Sequence, residues 1–385
     1  MSEPSSPMRA LIIAIAGAGG DLPPLMAVAG GLKQRGHEVR FLGDRPVADA
    51  VAALGAECTL LSSDLSLGAI LGQFARGSQG LTVQQQGERF RDELADWSLR
   101  VAEVATGLMQ NSRPDLILTS LFGIGAAALA AGPTPLVMVN STFYVGPDPP
   151  RPRAADFSSR ALPLFDYLVP MEERAGLVLH ATDRVFDFDN DQLPPTHRYV
   201  GPLIWEPDSA AAPDYLQTSS DTWILATISS QIQDDVPLAR AVLDAVSSRS
   251  VRLLMTTGGS HAKAEFDPIP ENARVEDYVS HRAALQRSHV LLSHAGHGSV
   301  MKALWYGVPM VLIPWGRDQP GVAARAERLG VARVVPRDQL TAETVGSALD
   351  AVLENPTFGE AARSHAARLR QQDPVAVACA AIEAL

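Results

Sequence analysis

Between Val290 and Gln319 the chain reads VLLSHAGHGSVMKALWYGVPMVLIPWGRDQ. Its reactive and polar residues are closely spaced. His294, Gly296, Gly298 and Ser299 stand ahead of an apolar run of helical length, and Trp315, Asp318 and Gln319 follow an apolar run of strand length. Glycine lets backbone approach a ligand, and the first turn of a helix carries N–H groups with no intrahelical acceptor, so the first group suits an anion. A carboxylate and an amide beyond a strand suit hydroxyl groups. A diphosphate and a polyol recognised together describe a nucleotide sugar. Attack on such a sugar by an alcohol needs a base within reach of the alcohol proton. Asp21, in Gly20-Asp21-Leu22-Pro23-Pro24, is the candidate base, and Asp318 is a second carboxylate able to assist. Asp21 also stands directly before a proline-bearing helix start, a common place for a capping aspartate, so the two roles compete.

These residues need particular elements to position them. Val290–Ser293 reads as a buried strand, Val300–Trp305 as helix, Gly307-Val308-Pro309 as its stop, and Met310–Ile313 as a second strand. That is one βαβ crossover with a small, flexible loop, His294–Ser299, before the helix. The N-terminal end repeats the order: strand Arg9–Ala16, loop Gly17–Asp21, helix Leu22–Arg35, strand Glu38–Gly43. Two such units predict an α/β chain with doubly wound sheets. A dinucleotide fingerprint fails at Gly17–Leu22, because its third glycine would fall on Leu22. Ser63–Gly87 is rich in Gly, Gln and Ser and reads as a mobile excursion. Phe143 and Tyr144, in a loop after the apolar strand Leu136–Asn140, form either a wall for an apolar acceptor or a packed proline-rich connection. Trp315 either lines a sugar pocket or packs between strands. His294 and His297 have a spacing open to metal, but no Asp, Glu or Cys nearby completes a ligand set.

The Val290–Gln319 stretch resembles the donor signature of family 1 glycosyltransferases, whose fold is GT-B. The likeness lies in the glycine loop after His294, the Gly-Val-Pro turn and the terminal Asp318-Gln319. Ala295 departs from the family's first loop glycine, and an ordinary, non-glycine backbone angle is expected there. Gly20-Asp21-Leu22-Pro23-Pro24 resembles the family's Gly-His motif in a Gly-Asp form found in glycopeptide and sterol glycosyltransferases. His37, in Arg35-Gly36-His37-Glu38-Val39, then falls at a helix-to-strand turn. The resemblance implies two Rossmann-like domains with a cleft between them: an acceptor domain over 1–205, a linker over 206–220, and a donor domain over 221–385 whose last helix packs back on the first. It places Ser229 and Ser230 near the donor phosphates, His294 as a donor to a phosphate oxygen, and Asp318 and Gln319 on the sugar. Tyr278 and Val279 fall where the family stacks a tryptophan on the nucleotide base; the tyrosine leaves UDP and dTDP both open. The implied reaction inverts the anomeric carbon and uses no metal or other cofactor.

Composition sets outer limits. With 385 residues and 46% hydrophobic content, two or three domains can each bury a core. A net charge of −11 argues against a general nucleic-acid binder. Cys58 and Cys379 are the only cysteines, so no disulfide framework is implied, and a cytoplasmic setting fits. No apolar run is long enough for a signal core or a membrane span. The expected activity is transfer of a hexose to a hydroxyl of a small, largely apolar acceptor such as a natural product. Two other readings compete: a nucleotide-sugar epimerase of similar fold, and a silent partner protein lacking the usual base histidine.

Overall fold

The computed structural model describes residues 6–16, 20–66, 68–70, 74, 77–78, 80–144, 162–188, 193–207, 213–217, 221–230 and 234–385. Most of the tail Met1–Pro7, the glycines Gly17 and Gly19, much of the linker 206–220 and the loop beyond Tyr144 lie outside the described residues. The chain divides into two compact units. One contains the residues up to Trp205 together with Gln372–Leu385, and the other contains Glu206–Gln371.

The first unit holds β1 (Arg9–Ile13), β2 (Glu38–Gly43), β3 (Glu57–Leu60), β4 (Leu116–Ser120), β5 (Leu136–Asn140), β6 (Leu177–His180) and β7 (His197–Tyr199). They form one parallel sheet in the order β3-β2-β1-β4-β5-β6-β7. Every residue of β4, β5 and β6 is buried, as expected for strands covered on both faces. The helices are α1 (Leu22–Gln34), α2 (Arg45–Ala52), α3 (Val83–Ser112), α4 (Ile124–Ala130) and α5 (Leu162–Glu172). The expected excursion Ser63–Gly87 is shorter than its composition suggests. Thr82 and Gln85 form a reciprocal capping box, and α3 begins at Val83.

The second unit holds α6 (Asp214–Gln217), β8 (Trp223–Thr227), α7 (Val236–Val246), β9 (Arg252–Thr256), β10 (Ala273–Glu276), α8 (His281–Leu285), β11 (Ser288–Ser293), α9 (His297–Tyr306), β12 (Met310–Leu312), α10 (Gln319–Arg328), β13 (Ala332–Val334), α11 (Ala342–Glu354) and α12 (Pro356–Leu369). Its parallel sheet has the order β10-β9-β8-β11-β12-β13. In both sheets the winding direction reverses once, between β1 and β4 and between β8 and β11. Open α/β sheets bind ligands at the carboxyl ends of strands flanking such a reversal.

The last helix, α13 (Pro374–Glu383), packs on α1 of the first unit. Gly31 permits the close approach: a Cβ there would lie 2.8 Å from Cys379 Sγ. His37 anchors the same contact. Its Nδ1 accepts from Met8 N–H at 3.1 Å, and its Nε2 faces Glu383 Oε1 at 2.9 Å. Arg35 also pairs with Glu383. His37 is thus a structural residue at the helix-to-strand turn. Among the described residues, no helix is long and apolar enough to cross a membrane.

Candidate active site

In the first unit the loops after β1 and β4 flank the reversal, and Asp21 stands between them. It does not cap α1. Its backbone is helical (φ −74°, ψ −40°) and its side chain makes no cap bond. Two causes act together. A capping aspartate needs extended backbone to bring its oxygens over the helix end, and the positions whose N–H groups it would bind are Pro23 and Pro24, which have none. The carboxylate turns instead to neighbouring loops. Ser141 Oγ–H donates to Oδ1, and Phe122 N–H donates to Oδ2 at 3.3 Å. Asp21 is only 4% exposed, so these donors fix its direction.

The expected acceptor wall is corrected at Phe143. The ring is 1% exposed and belongs to the interior, because Asn140 Nδ2 binds the Phe143 carbonyl at 3.2 Å and closes the turn inward. Tyr144 is half-buried. Its N–H donates to Asp187 Oδ2 at 2.8 Å, and its ring meets His180 and His197 edge-on.

In the second unit the loops after β8 and β11 flank the reversal. The loop before α9 is shorter than expected: Gly296 is the N-cap, and His297, Gly298 and Ser299 already form the first turn. Ser299 N–H already bonds the Gly296 carbonyl at 3.0 Å, which leaves the Gly298 N–H and the Ser299 hydroxyl at the helix start, where the dipole favours negative charge. Ala295 has φ +66°, contrary to the ordinary angle expected; the tight turn from strand to helix demands the left-handed region that glycine would occupy without strain. Gly296 keeps its own place for a steric reason, since a Cβ there would lie 2.6 Å from His294 Nε2. Ser299 Oγ lies 3.5 Å from Thr227 Oγ1, which also bonds Ser293 Oγ at 3.1 Å.

His294 Nδ1 faces the Thr227 carbonyl at 3.3 Å, so Nδ1 carries the proton and neutral Nε2 is an acceptor. Burial pushes this imidazole down to about 4, Arg317 adds to the effect, and the Thr227 bond and Asp235 oppose it. The expected donation to a phosphate oxygen therefore requires the ring to take up a proton. Ser229 is buried, its N–H bound to Asp235 Oδ2 at 2.8 Å and its carbonyl to Ser260 Oγ at 2.7 Å. Ser230 is exposed beside Gly258.

The turn after β12 is held by Gln319. Its Oε1 accepts from Trp315 N–H and Gly316 N–H, both at 2.8 Å, and the residue is 2% exposed. Gln319 therefore offers no free acceptor oxygen to a sugar. Trp315 packs into the core under Arg337, whose guanidinium lies 3.9 Å from the ring centre and bonds the Trp315 carbonyl. Asp318 is half-exposed at the start of α10 and makes no cap bond.

Tyr278 and Val279 follow β10, the edge strand, three positions from β11 and so roughly 14 Å across the sheet. Tyr278 is 60% exposed while Val279 is buried. The next residues form a buried anchor. Ser280 Oγ donates to Glu206 Oε2 at 2.7 Å, Arg282 N–H reaches the same carboxylate, and Lys302 Nζ pairs with Oε1 at 3.0 Å. Burial pushes the Glu206 carboxyl up, but Lys302 and the donors together hold it below its usual range.

Sequence reasoning missed Ser141, Asp235, His261 and Glu206. His261 lies between Asp235 and Glu265, at 3.3 and 3.2 Å. Asp235-Val236-Pro237 repeats the Asp-x-Pro pattern of Asp21-Leu22-Pro23 and Asp318-Gln319-Pro320, but Asp44-Arg45-Pro46 shares it and is a true cap, so the pattern alone does not single Asp235 out.

The buried imidazoles of this unit make its stability acid-sensitive. His281 is pushed down to about 3 by burial and the Lys302 charge, Glu206 opposing, and its Nε2 lies 3.1 Å from Thr256 Oγ1. Below pH ~6.5 the unfolded chain binds protons that the folded unit refuses, so stability falls as pH drops from ~6.5 toward ~4. Two such groups give a slope on the order of 2–3 kcal/mol per pH unit. Hydrogen exchange in β8 and β11 should accelerate over that window, and His281→Gln should roughly halve the slope. A flat profile above pH 5 would refute the neutral assignments.

Residues 240–384 match the family described as erythromycin biosynthesis protein CIII-like, C-terminal domain. The chain is 25% identical to 4'-demethylrebeccamycin synthase of Lentzea aerocolonigenes, over 94% of its own length and 95% of the relative's. It is 23% identical to demethyllactenocin mycarosyltransferase of Streptomyces fradiae, over 100% of its length and 88% of the relative's. The solved glycosyltransferase of kitacinnamycin superposes with a TM-score of 0.79 at 22% identity, covering 98% of this chain and 99% of that one. The fold is thus of the GT-B type, residues 240–384 resemble the EryCIII-like C-terminal domain, and the relatives matched over nearly their whole length are glycosyltransferases.

Proposed function

We propose that this chain moves a hexose from a nucleotide-sugar donor to a hydroxyl of a small, largely apolar natural-product acceptor, inverting the anomeric carbon without a metal. The observation that carries the reading is what the two sheet reversals present: a carboxylate released from capping at one, and an N–H-bearing helix start at the other. The reaction needs both. Asp21 takes the acceptor proton as the hydroxyl attacks. The start of α9, with the Gly298 N–H and the Ser299 hydroxyl, receives the charge gathering on the departing diphosphate. Fixed dipoles there can do the work of a divalent ion. His294 joins them once the diphosphate has drawn a proton onto Nε2. Direct displacement from the face opposite the leaving group inverts the centre and needs no enzyme nucleophile. Asp318 and the exposed Ser230 are the remaining polar side chains assigned to the donor.

The test is a screen of hydroxylated apolar aglycones with UDP-glucose and dTDP-glucose, EDTA present, read by mass spectrometry and by the anomeric coupling of the product. A hexosylated aglycone of inverted configuration supports the reading; donor turnover without acceptor sinks it. Ser299→Ala should weaken binding of the matching nucleoside diphosphate by about 0.5–3 kcal/mol, the scale of one hydrogen bond to a charged group. Calorimetry in buffers of differing ionisation enthalpy should also show proton uptake on binding, abolished in His294→Gln. Unchanged affinity in Ser299→Ala together with no proton uptake would move the diphosphate elsewhere.

A further inference from the structure

The turn after β5 faces two ways. Its Ser141 hydroxyl is bonded to Asp21, and its Asn140 side chain opens a buried line of polar groups running away from Asp21. Hydrogen-bond chemistry gives that line a direction. Asn140 Oδ1 accepts from Thr142 N–H at 3.1 Å, so the amide nitrogen must face the other way. One amide proton goes to the Phe143 carbonyl at 3.2 Å and the other to His180 Nδ1 at 3.1 Å. His180 Nδ1 is then an acceptor, and its Nε2–H donates to His197 Nδ1 at 2.9 Å. His197 in turn carries its proton on Nε2, 3.7 Å from Glu172 Oε1. Along the line the shared protons point from Asn140 through His180 to His197, and Glu172 lies just beyond hydrogen-bond reach at its end.

All four side chains are buried, and the two imidazole rings lie 5.1 Å apart, with Tyr199 at 5.3 Å from His180. The ordering requires both rings neutral. Burial pushes His197 down to about 4, and burial with the nearby Glu173 charge pushes Glu172 up to about 8, so the end of the line is uncharged near neutrality. A buried polar line is a costly way to fill space, because each member must be satisfied. Apolar side chains of similar volume would fill it as well.

We propose that Asn140, His180, His197 and Glu172 form a positioning chain that fixes the turn carrying Ser141 and so aims the Asp21 carboxylate. The proposal rests on Asp21 being the base, and it adds residues that touch no substrate. Loss of aim is costly in transfer chemistry, since misplacement of a catalytic group by an ångström can cost on the order of 100-fold.

The test measures kcat and donor KM with an aliphatic-alcohol aglycone from the screen above, for His180→Phe and Ser141→Ala, alone and combined with Asp21→Asn. Each single variant should lose roughly 10- to 100-fold in kcat with donor KM within about twofold. Neither should lose more when added to Asp21→Asn, because the chain acts only through that residue. His180→Gln, which can still accept and donate, should recover most of the rate. It also keeps the test alive if His180→Phe fails to fold. Equal losses in both backgrounds would reduce the chain to a structural role, and unchanged kcat would overturn it. Full activity in Asp21→Asn would overturn the base assignment and this proposal together. That outcome is distinct from an inactive Asp21→Asn beside a normal His180→Phe. Nitrogen-15 shifts add a check independent of turnover: His180 and His197 should both be protonated on Nε2, and an Nδ1 proton on His180 would break the chain.

Discussion

Asp21→Asn should lower transfer to an aliphatic alcohol by ~10²–10⁴-fold, the usual worth of a positioned general base, while fold and donor affinity stay in place. The structure sharpens this expectation by removing its main rival. A residue that only capped α1 would be replaced by Asn with little effect, but Asp21 makes no cap bond and faces Pro23 and Pro24, which have no N–H to give. The helix therefore loses nothing in the variant. Asn keeps one oxygen to accept from Phe122 N–H, and its amide can donate to Ser141 Oγ in place of the reverse bond. A large thermal shift is not expected. Asp21→Ala leaves a buried hydroxyl and a buried N–H unpaired, which costs about 1–3 kcal/mol for each such group. An acceptor whose hydroxyl is already acidic, such as a nitrophenol, should be far less sensitive to Asp21→Asn than an aliphatic alcohol. Equal sensitivity would say that Asp21 does something other than remove a proton. Full activity on the alcohol would direct attention to Asp318.

Lys302→Met should destabilise the second unit by about 3–5 kcal/mol, the cost of breaking a buried ion pair from one side. Glu206 is 8% exposed and Lys302 is its cationic partner at 3.0 Å, so the variant leaves an uncompensated carboxylate in the interior. The sign with pH follows. With Lys302 gone, burial would raise the Glu206 pKa above that of the unfolded chain, so the variant loses further stability as pH rises above ~4.5. Lys302→Met with Glu206→Gln should recover most of the loss, because a neutral amide can still meet Ser280 and Arg282 N–H. A function should suffer too. Glu206 anchors the turn after Tyr278 and Val279, and donor affinity should fall in the single variant more than in the double. A loss below 1 kcal/mol, flat in pH, would show the pair to be effectively solvated.

The aspartates at helix starts mark the boundary between what was legible and what was not. Asp21, Asp44, Asp235 and Asp318 all sit in the pattern Asp-x-Pro before a helix. Only Asp44 caps its helix: its backbone is extended, at φ −81° and ψ 178°, and its side chain accepts from Val47 N–H. The other three have compact backbone and make no cap bond. Asp21 could have been separated from the caps on sequence alone, since Pro23 and Pro24 remove both N–H partners. Asp235 and Asp318 could not, because their third helical positions, Leu238 and Gly321, do carry N–H groups. What turns Asp235 back is Ser229, earlier in the same loop after β8, and His261, which approaches from beyond the end of β9.

The sequence by itself determined the two doubly wound sheets, the helix that follows the glycine loop after His294 and the candidacy of Asp21. Apolar runs of strand length, glycine and proline breaks and residue spacing are local properties, and they survive without knowledge of neighbours. Tertiary structure alone decided which of the candidate side chains are buried and which hydrogen bonds they make. It moved Phe143 and Trp315 into cores, engaged the Gln319 oxygen with Trp315 and Gly316, and brought Ser141 to Asp21 across 120 positions of chain. It also joined Asn140, His180, His197 and Glu172, which no spacing relates. The physical reason is the same in each case. A polar side chain satisfies its hydrogen bonds with whatever the sheet order places beside it, and sheet order is set by long-range packing rather than by the residues next to it in the chain.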